Sequence, residues 1–383
     1  MDIMKYFLCS IVLLFGAFFL LSCESGKKSS NTPVTSKEQA QVEPEKQSFP
    51  IQITKSKDQA KTVGIYDIAD VRYLKMETKD ATLFPSKWRF SGLYMTDYDL
   101  FLSFGDNILR FDENGHFLNT IGRKGGAPFE FANGGTFCVN ESKKEIYLLD
   151  FAKQRTLVYE YDGKFKRSFK NEAYFDRFYV LNDTSVICSN NDINQEDRIF
   201  TLSLRDGKKE NVLLGKKPDK NLQGLMVNIG AFARLNTYKE QIYFCISTSD
   251  TIFAYDTKQQ KLYPAYVQLP LNSSNDEVKT VPYLQFETSR FSSVLINDKP
   301  MPNFTYWFDK EKKEVSKIRI WNRDLEDYVL MWGCNRENVV FDILEMGRLK
   351  EKQANNKLSG ELKTLVENSN VEDNPILMIA KVK

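Results

Sequence analysis

The sequence contains a single histidine, His116, among its 383 residues. Catalysis by a Ser-His-Asp or Cys-His arrangement needs a histidine beside the nucleophile. His116 directly follows Asn114-Gly115, a pair typical of a solvent-exposed hairpin turn. We therefore expect no catalysis of this kind, and a zinc site built on histidines is excluded by their number.

Cysteine is also scarce and shows no paired spacing. After residue 50 there are four cysteines, with neither a CxxC unit nor an obvious disulfide framework: Cys138, Cys188, Cys245 and Cys334. Cys188 and Cys245 occupy corresponding places in apolar, strand-like runs. They are predicted to be small buried hydrophobic residues.

The sequence has no large excess of charge of either sign, because its 53 Lys and Arg residues nearly balance its 51 Asp and Glu residues. Nucleic-acid-binding domains usually carry clustered positive charge, so no nucleic-acid partner is predicted. The glycine-rich run 122–131 does not follow the GxxxxGK[ST] pattern between a strand and a helix that cradles phosphate. We interpret it as a crossover between repeats, and we predict no cofactor.

No apolar run reaches the roughly 20 residues of a membrane-spanning helix. The run Tyr6–Leu21 follows Lys5 and ends at Ser22-Cys23, which predicts a secretory signal over residues 1–22. Leu20-Leu21-Ser22-Cys23 resembles a bacterial lipobox, which implies that Cys23 is acylated and anchors the chain to a membrane. An ordinary signal peptide or a short anchor is the alternative. Residues 23–50 are polar and predict a flexible tether.

What the sequence has in abundance is a repeat of short strand-like runs. Their centres are separated by 46, 39, 57, 51 and 46 residues, at Phe101, Tyr147, Val186, Tyr243, Val294 and Val340. A period of this length with several strands per unit is typical of a β-propeller blade. We predict an all-β fold over residues 51–383, a six-bladed β-propeller of four-stranded blades with a helical segment at about 346–368. A pair of β-sandwiches is the alternative.

Turn pairs and the chain ends refine this prediction. Asn114-Gly115 predicts a two-residue type I′ turn, and Asp162-Gly163 and Asp206-Gly207 repeat the pattern. In the next two repeats Lys258-Gln259 and Glu311-Lys312 stand in the corresponding places.

A ring of blades leaves an open edge unless its ends pair. Two strand-like runs lie in the N-terminal segment, at Pro50–Thr54 and Tyr66–Met76. We therefore expect this segment to complete the last blade beside Ile376–Val382, with a helix as the alternative for Ile65–Val71.

The run IGRKGGAPFEF, followed by YLLDFAKQRTLVYEYDGKF, resembles the six-bladed β-propeller lipoproteins of Bacteroidetes, which are NHL/TolB-like propellers. Those proteins carry IGRKGQGPGEY here, so Ala127 and Phe129 replace glycines. The ending DNPIL also resembles that family. The resemblance implies a lipoprotein of the outer membrane. Because one acid and two bases follow Cys23, instead of several acids, it favours an orientation towards the periplasm over the cell surface.

Arginines recur at or just beyond strand ends, and several could surround the central channel as a cationic floor for carboxylate or sulfate groups. Aromatic residues near them could add stacking surface for sugars or peptides. The candidate binding residues are Arg123, Arg155, Arg177, Arg234, Arg290, Trp88 and Phe131.

Two functions follow from these features. The favoured hypothesis is a non-enzymatic binding or scaffolding propeller on the bacterial envelope, linked to glycan or nutrient uptake, whose ligand is a small molecule, a glycan or a protein. The alternative is a carboxylate- or metal-dependent hydrolase or lyase with its site at the channel. Converging Asp, Glu and Asn side chains in the channel would favour the enzyme, and an arginine- and aromatic-lined channel would favour binding.

Overall fold

The structure is a computed structural model that describes residues 50–83, 90–192, 194–215, 236–246, 249–273, 280–296 and 303–383. The predicted signal, the lipobox with Cys23 and nearly all of the tether lie outside the described residues, and so do Trp88 and Arg234.

The described chain forms 27 strands and three short α-helices. The N-terminal segment contains β1 (Ile51–Thr54), β2 (Lys61–Gly64), α1 (Ile65–Ile68) and β3 (Ala69–Lys75). Blade 1 contains β4 (Phe90–Met95), β5 (Asp99–Phe104), β6 (Asn107–Asp112) and β7 (Phe117–Ile121); blade 2 contains β8 (Phe137–Asn140), β9 (Glu145–Asp150), β10 (Arg155–Glu160) and β11 (Phe165–Lys170). Blade 3 contains β12 (Arg177–Val180), β13 (Ser185–Ser189), β14 (Asp197–Ser203) and β15 (Lys209–Gly215); blade 4 contains β16 (Asn236–Tyr238), β17 (Gln241–Cys245), β18 (Thr251–Asp256) and β19 (Lys261–Leu269). Blade 5 contains β20 (Pro282–Glu287), β21 (Phe291–Ile296), β22 (Thr305–Asp309) and β23 (Glu314–Asn322), and β24 (Asp327–Val329) pairs with β23. Blade 6 contains β25 (Trp332–Gly333), β26 (Val339–Leu344), α2 (Met346–Ala354), α3 (Gly360–Glu367) and β27 (Ile376–Val382).

The four strands of each blade pair antiparallel, in chain order in blades 1 to 5, and in blade 6 the N-terminal β3 supplies the fourth strand beside β27. The predicted six-bladed propeller is therefore confirmed. The six centres of the sequence repeat all fall in the second strand of a blade. That strand is buried on both faces, most completely in β5, β9 and β21. A strand buried on both faces needs apolar residues at successive positions, which is why it gave the strongest repeat signal.

The described residues of the hydrophobic core form six clusters, and each cluster lies between two neighbouring blades. Between blades 6 and 1, for example, Leu377 and Phe341 pack with Leu102 and Phe111. Every blade therefore depends on both neighbours to bury its apolar faces.

The ring is closed by the N-terminal segment, as expected. β3 pairs antiparallel with β27 over its whole length, from Ala69 opposite Val382 to Lys75 opposite Ile376. The short helix α1 directly precedes β3. The predicted strand and the alternative helix for Ile65–Val71 are therefore each confirmed over part of this segment. The first predicted run does not join the last blade: β1 pairs parallel with β19 of blade 4, and β2 pairs parallel with β23 of blade 5. The N-terminal segment thus covers the outer edges of blades 4, 5 and 6 in turn.

Two C-terminal helices lie between β26 and β27. Leu349 of α2, Leu362 and Val366 of α3, and Leu358 in the connection between the two helices are buried in the cluster shared by blades 5 and 6. Leu365 of α3 is partly buried against the same cluster.

The predicted type I′ turn at Asn114-Gly115 is wrong. Only Gly115 has a positive φ, of 86°, whereas a type I′ turn needs two such residues. The Asp112 carboxylate accepts hydrogen bonds from the backbone N–H groups of Asn114 and His116. These bonds favour a right-handed backbone conformation at Asn114, the first residue of the predicted turn pair. In blades 4 and 5 the left-handed position is taken by Gln260 and Lys313.

Candidate functional site

The first strands of five blades enclose a cavity of about 100 Å³ in the central channel. Blades 1, 2, 3, 4 and 6 line it with Gly92, Leu93, Tyr94, Gly135, Thr136, Phe137, Cys138, Arg177, Phe178, Tyr179, Thr237, Gly333, Cys334, Asn335 and Phe341. The cavity is the candidate functional site because it concentrates aromatic, hydroxyl and guanidinium groups at the convergence of the blades.

Blade 5 does not supply any of the described lining residues, because residues of blades 4 and 6 meet in front of it. The Asn236 side chain on blade 4 donates a hydrogen bond to Leu284 O on blade 5 (2.6 Å). A β-carbon at Gly333 on blade 6 would lie 2.6 Å from Asn236 Oδ1 and 3.2 Å from Phe286 Cα. Glycine is therefore required at position 333 for this close approach.

Hydrogen bonds that involve side chains join every pair of neighbouring blades around the channel. Blade 2 is joined to blade 1 by Tyr94 Oη, which donates to Glu141 Oε1 (3.0 Å), and to blade 3 by Arg177 Nη1, which donates to Thr136 Oγ1 (3.1 Å). Blade 4 is joined to blade 3 by the hydrogen bond between Tyr179 and Thr237, and to blade 5 by the hydrogen bond from Asn236 to Leu284 O. Blade 6 is joined to blade 5 by Ser289 N, which donates to Asn338 Oδ1 (2.7 Å), and to blade 1 by Met95 N, which donates to Asn335 Oδ1 (2.8 Å). Because each blade supplies one part of the ring, the cavity forms only when the propeller is closed.

Among the lining residues that the structure describes, Arg177 is the one ionisable side chain that is charged near neutral pH. Its Nη1 also donates to Asp176 O (2.8 Å). Burial lowers the pKa of Arg177, and the negative charge of Asp176 opposes that shift. The Asp176 carboxylate accepts hydrogen bonds from Asn191 and is not part of the lining. Burial raises the pKa of Asp176, while Arg177 opposes that shift.

The other polar groups of the lining are neutral. Burial raises the pKa of the Tyr94 and Tyr179 hydroxyls, so both stay protonated. Burial also raises the pKa of the Cys138 thiol, and it raises that of Cys334 to about 11. All four described cysteines are free and buried, as expected for hydrophobic residues.

The four described arginines that were predicted to bind a ligand do not all lie at the same end of the channel. Connections between the first and second and between the third and fourth strands of a blade share one end, face A, and the remaining connections share the other end, face B. Arg123, Arg155 and Arg177 lie at face B, whereas Arg290 lies in the β20–β21 connection at face A. Of these four, Arg177 alone lines the cavity.

Arg123 and Arg155 both hold the glycine-rich crossover between blades 1 and 2. Arg123 Nε donates to Glu130 Oε1 (2.6 Å), and its guanidinium lies 5.4 Å from the Phe129 ring centroid. Arg155 donates to Asp150 (3.1 Å), Pro128 O (2.8 Å) and Glu130 O (2.6 Å). This run is a blade-to-blade crossover, as interpreted from the sequence.

Arg290 and Phe131 are also engaged within the fold. The Arg290 guanidinium lies 3.6 Å from Glu311 and 4.8 Å from the Phe291 ring centroid. Phe131 is buried in the core between blades 1 and 2, so its ring cannot stack on a ligand at the surface. Of the four described arginines that could form a cationic floor, Arg177 therefore lies in the cavity lining, and Arg123, Arg155 and Arg290 contact other parts of the fold.

Sequence reasoning missed the residues that do line the cavity, including Tyr94, Phe137, Tyr179 and Asn335. They lie on or beside first strands, which are only two to six residues long. A usable signal was their position ten or fewer residues before each repeat centre. His116 lies on a hairpin with its ring 68% exposed and Nδ1 2.9 Å from Asp112 Oδ2, far along the blade from the first strand.

Within the described ranges, no group of three His, Cys, Asp or Glu side chains is placed to hold a metal ion. None of the described helices is long and apolar enough to cross a membrane.

The model of one protein family, described as the domain of unknown function DUF4934, matches residues 49–381. The chain is a member of the DUF4934 family. No curated protein matches it.

A crystal structure from Bacteroides fragilis has the same fold as this DUF4934 propeller. A Bacteroides fragilis protein assigned as exported superposes with a TM-score of 0.68 at 17% identity, over 88% of this chain and 100% of its own. A member of the DUF4221 family from Bacteroides vulgatus gives a TM-score of 0.47 at 11% identity, over 82% and 99% of the two chains. At 17% identity the likeness to the B. fragilis protein concerns the fold alone.

Proposed function

We propose that the protein is a non-enzymatic binding propeller, anchored to the bacterial envelope, that captures its ligand in the central channel. The observation that carries this proposal is the lining of the cavity by Arg177, Tyr94, Phe137 and Tyr179. Such a lining offers one charge, several hydrogen-bonding groups and aromatic surface, which are the elements of a small-molecule site.

The lining supports binding over the alternative hydrolase or lyase. A carboxylate-dependent enzyme positions acids and bases beside the substrate. The described cavity lining contains no Asp or Glu, and the nearby Glu141 and Asp176 are hydrogen-bonded to Tyr94 and Asn191.

The envelope location rests on the lipobox-like sequence that ends at Cys23 and on the propeller of B. fragilis that is assigned as exported. We propose acylation of Cys23 and an outer-membrane location in which the propeller faces the periplasm. In that position the channel would take part in glycan or nutrient uptake within reach of the tether. Protease added to intact cells tests the orientation: protection until the outer membrane is permeabilised supports it, and cleavage on intact cells places the propeller on the surface.

A thermal-shift screen of glycans, peptides and divalent ions tests the binding function, because a ligand of the folded state raises the melting temperature. Tyr179→Phe removes one channel hydroxyl without changing the ring. Tyr328→Phe is the matched control, because Tyr328 lies on β24 away from the cavity. The proposal predicts a ligand that stabilises the wild type and the control more than Tyr179→Phe. Turnover of a screened compound, or equal stabilisation of all three proteins by every ligand, would contradict it.

A further inference from the structure

We propose that the cavity in the central channel accepts a small uncharged molecule that is apolar except for one hydroxyl group. This inference rests on the proposed binding function and names the class of ligand. It follows from the way in which polar side chains of the lining are already bonded within the fold.

The two lining side chains with the most hydrogen-bond donors are held by protein acceptors. Asn335 Oδ1 accepts from Met95 N, and Asn335 Nδ2 donates to Met95 O, both at 2.8 Å. Arg177 Nη1 donates to Thr136 Oγ1 at 3.1 Å and to Asp176 O at 2.8 Å. The negative charge of Asp176 opposes the lowering of the Arg177 pKa by burial, so the charge of the guanidinium is partly balanced within the protein. A charged or strongly polar ligand would therefore lose its hydration and would have to compete with these protein groups.

Much of the remaining lining is apolar. Leu93, Phe137, Phe178 and Phe341 supply one aliphatic side chain and three aromatic rings. Burial raises the pKa of the Cys138 thiol, which keeps this group neutral. Contact with these groups removes apolar surface of a ligand from water, which favours binding of hydrocarbon groups.

One hydroxyl group of a ligand can be bonded where blades 3 and 4 meet. Tyr179 and Thr237 are hydrogen-bonded to each other there, and both line the cavity. A hydroxyl oxygen carries two acceptor lone pairs besides its donor, so this pair can accept a further hydrogen bond from a ligand.

The size of the cavity sets an upper limit on the ligand. Its volume of about 100 Å³ is smaller than the roughly 150 Å³ cavity that accepts benzene. On that scale about four or five non-hydrogen atoms fit, as in a branched alcohol such as isobutanol.

Isothermal titration at constant ionic strength compares isobutanol with three molecules of similar shape. Propane-1,2-diol replaces a methyl group by a second hydroxyl, isobutylammonium carries a positive charge, and isobutyrate carries a negative charge. We expect isobutanol to bind with a Kd of about 1–10 mM. It should bind at least about tenfold more tightly than each of the other three.

A change in the size of the cavity tests whether the alcohol binds inside it. Benzyl alcohol keeps the single hydroxyl but exceeds the volume, so the wild type should bind it at least about tenfold more weakly than isobutanol. Phe137→Ala removes a ring from the lining and should bring the affinity for benzyl alcohol to that for isobutanol or above. If Phe137→Ala fails to fold, Phe137→Leu decides, with a smaller shift in the same direction. Phe129→Ala is the matched control, because Phe129 lies outside the cavity and is 42% exposed.

Crystals under xenon pressure give a second readout, because xenon enters apolar cavities. Anomalous density among the rings of Phe137, Phe178 and Tyr179 supports the inference, and ordered water in that place under the same pressure contradicts it.

Equal or tighter binding of the diol or of either ion would overturn the inference, and so would an unchanged preference in a folded Phe137→Ala or Phe137→Leu protein. Failure of isobutanol to bind, beside a compound from the thermal-shift screen that does bind, would refute the ligand class alone. Failure of both would refute the proposed binding function as well.

Discussion

Gly333→Ala should destabilise the propeller by forcing apart three blades at the channel. The added methyl group would lie 2.6 Å from Asn236 Oδ1 and 3.2 Å from Phe286 Cα, and the second contact is with backbone that cannot rotate away. Overpacking of this kind costs about 1–3 kcal/mol. If Asn236 is displaced, its buried amide also loses the hydrogen bond to Leu284 O, which adds about 1–3 kcal/mol. Alanine also restricts the unfolded chain, which offsets about 0.4–1 kcal/mol of this loss. With Asn236 displaced, we therefore expect a net loss of about 1–6 kcal/mol.

Urea unfolding followed by tryptophan fluorescence measures this loss, because Trp307 and Trp332 lie in blades 5 and 6. Gly126→Ala is the matched control, since a β-carbon there would meet nothing within 4 Å. It should leave stability unchanged or slightly raised. Adding Asn236→Ala to Gly333→Ala should cost less than the sum of the single changes, because the small residue relieves the clash. A Gly333→Ala protein within about 0.5 kcal/mol of the wild type would refute the close packing of blades 4, 5 and 6.

Three further predictions concern the C-terminal strand, the Asp327 ion pairs and the lipid anchor. Removal of residues 376–383 should cause aggregation, because β27 pairs with β26 on one side and β3 on the other, and its loss opens two sheet edges; a soluble truncation with unchanged melting would argue against closure by β3. Asp327 is partly buried, but hydrogen bonds from Lys352 and Arg348 lower its pKa to about 2, so its contribution is present above about pH 4 and is lost as the pH falls towards 2. Asp327→Asn should therefore be less stable than wild type at neutral pH in urea titrations, and a gap that did not narrow in acid would exclude this ion-pair effect. Cys23→Ala should release the protein from the membrane fraction, and continued sedimentation with the outer membrane would show that Cys23 is not the anchor.

The fold was predictable because the second strand of each blade is buried on both sides and must be apolar at successive positions. That requirement produced the six centres from Phe101 to Val340. Ring closure followed from the need to cover an open edge. The parallel pairing of β1 and β2 with blades 4 and 5 was not predictable, because parallel partners lie more than 200 residues apart and leave no local signal.

The candidate site was less predictable than the fold. Arginine at a strand end was a weak criterion, because Arg155 and Arg177 share it but only Arg177 reaches the channel. Arg155 is drawn to the carbonyl oxygen atoms of the glycine-rich crossover. Whether a side chain faces the channel depends on the register of the short first strands, which one residue of slippage reverses.

Binding in the channel is tested most directly by a crystal structure grown with the compound that raises the melting temperature most in the thermal-shift screen. Channel binding predicts electron density for that compound between Tyr94, Phe137 and Tyr179, beside the Arg177 guanidinium. Density for the compound on the outer edges of the blades or on the face loops, with a channel that contains only water, would contradict it.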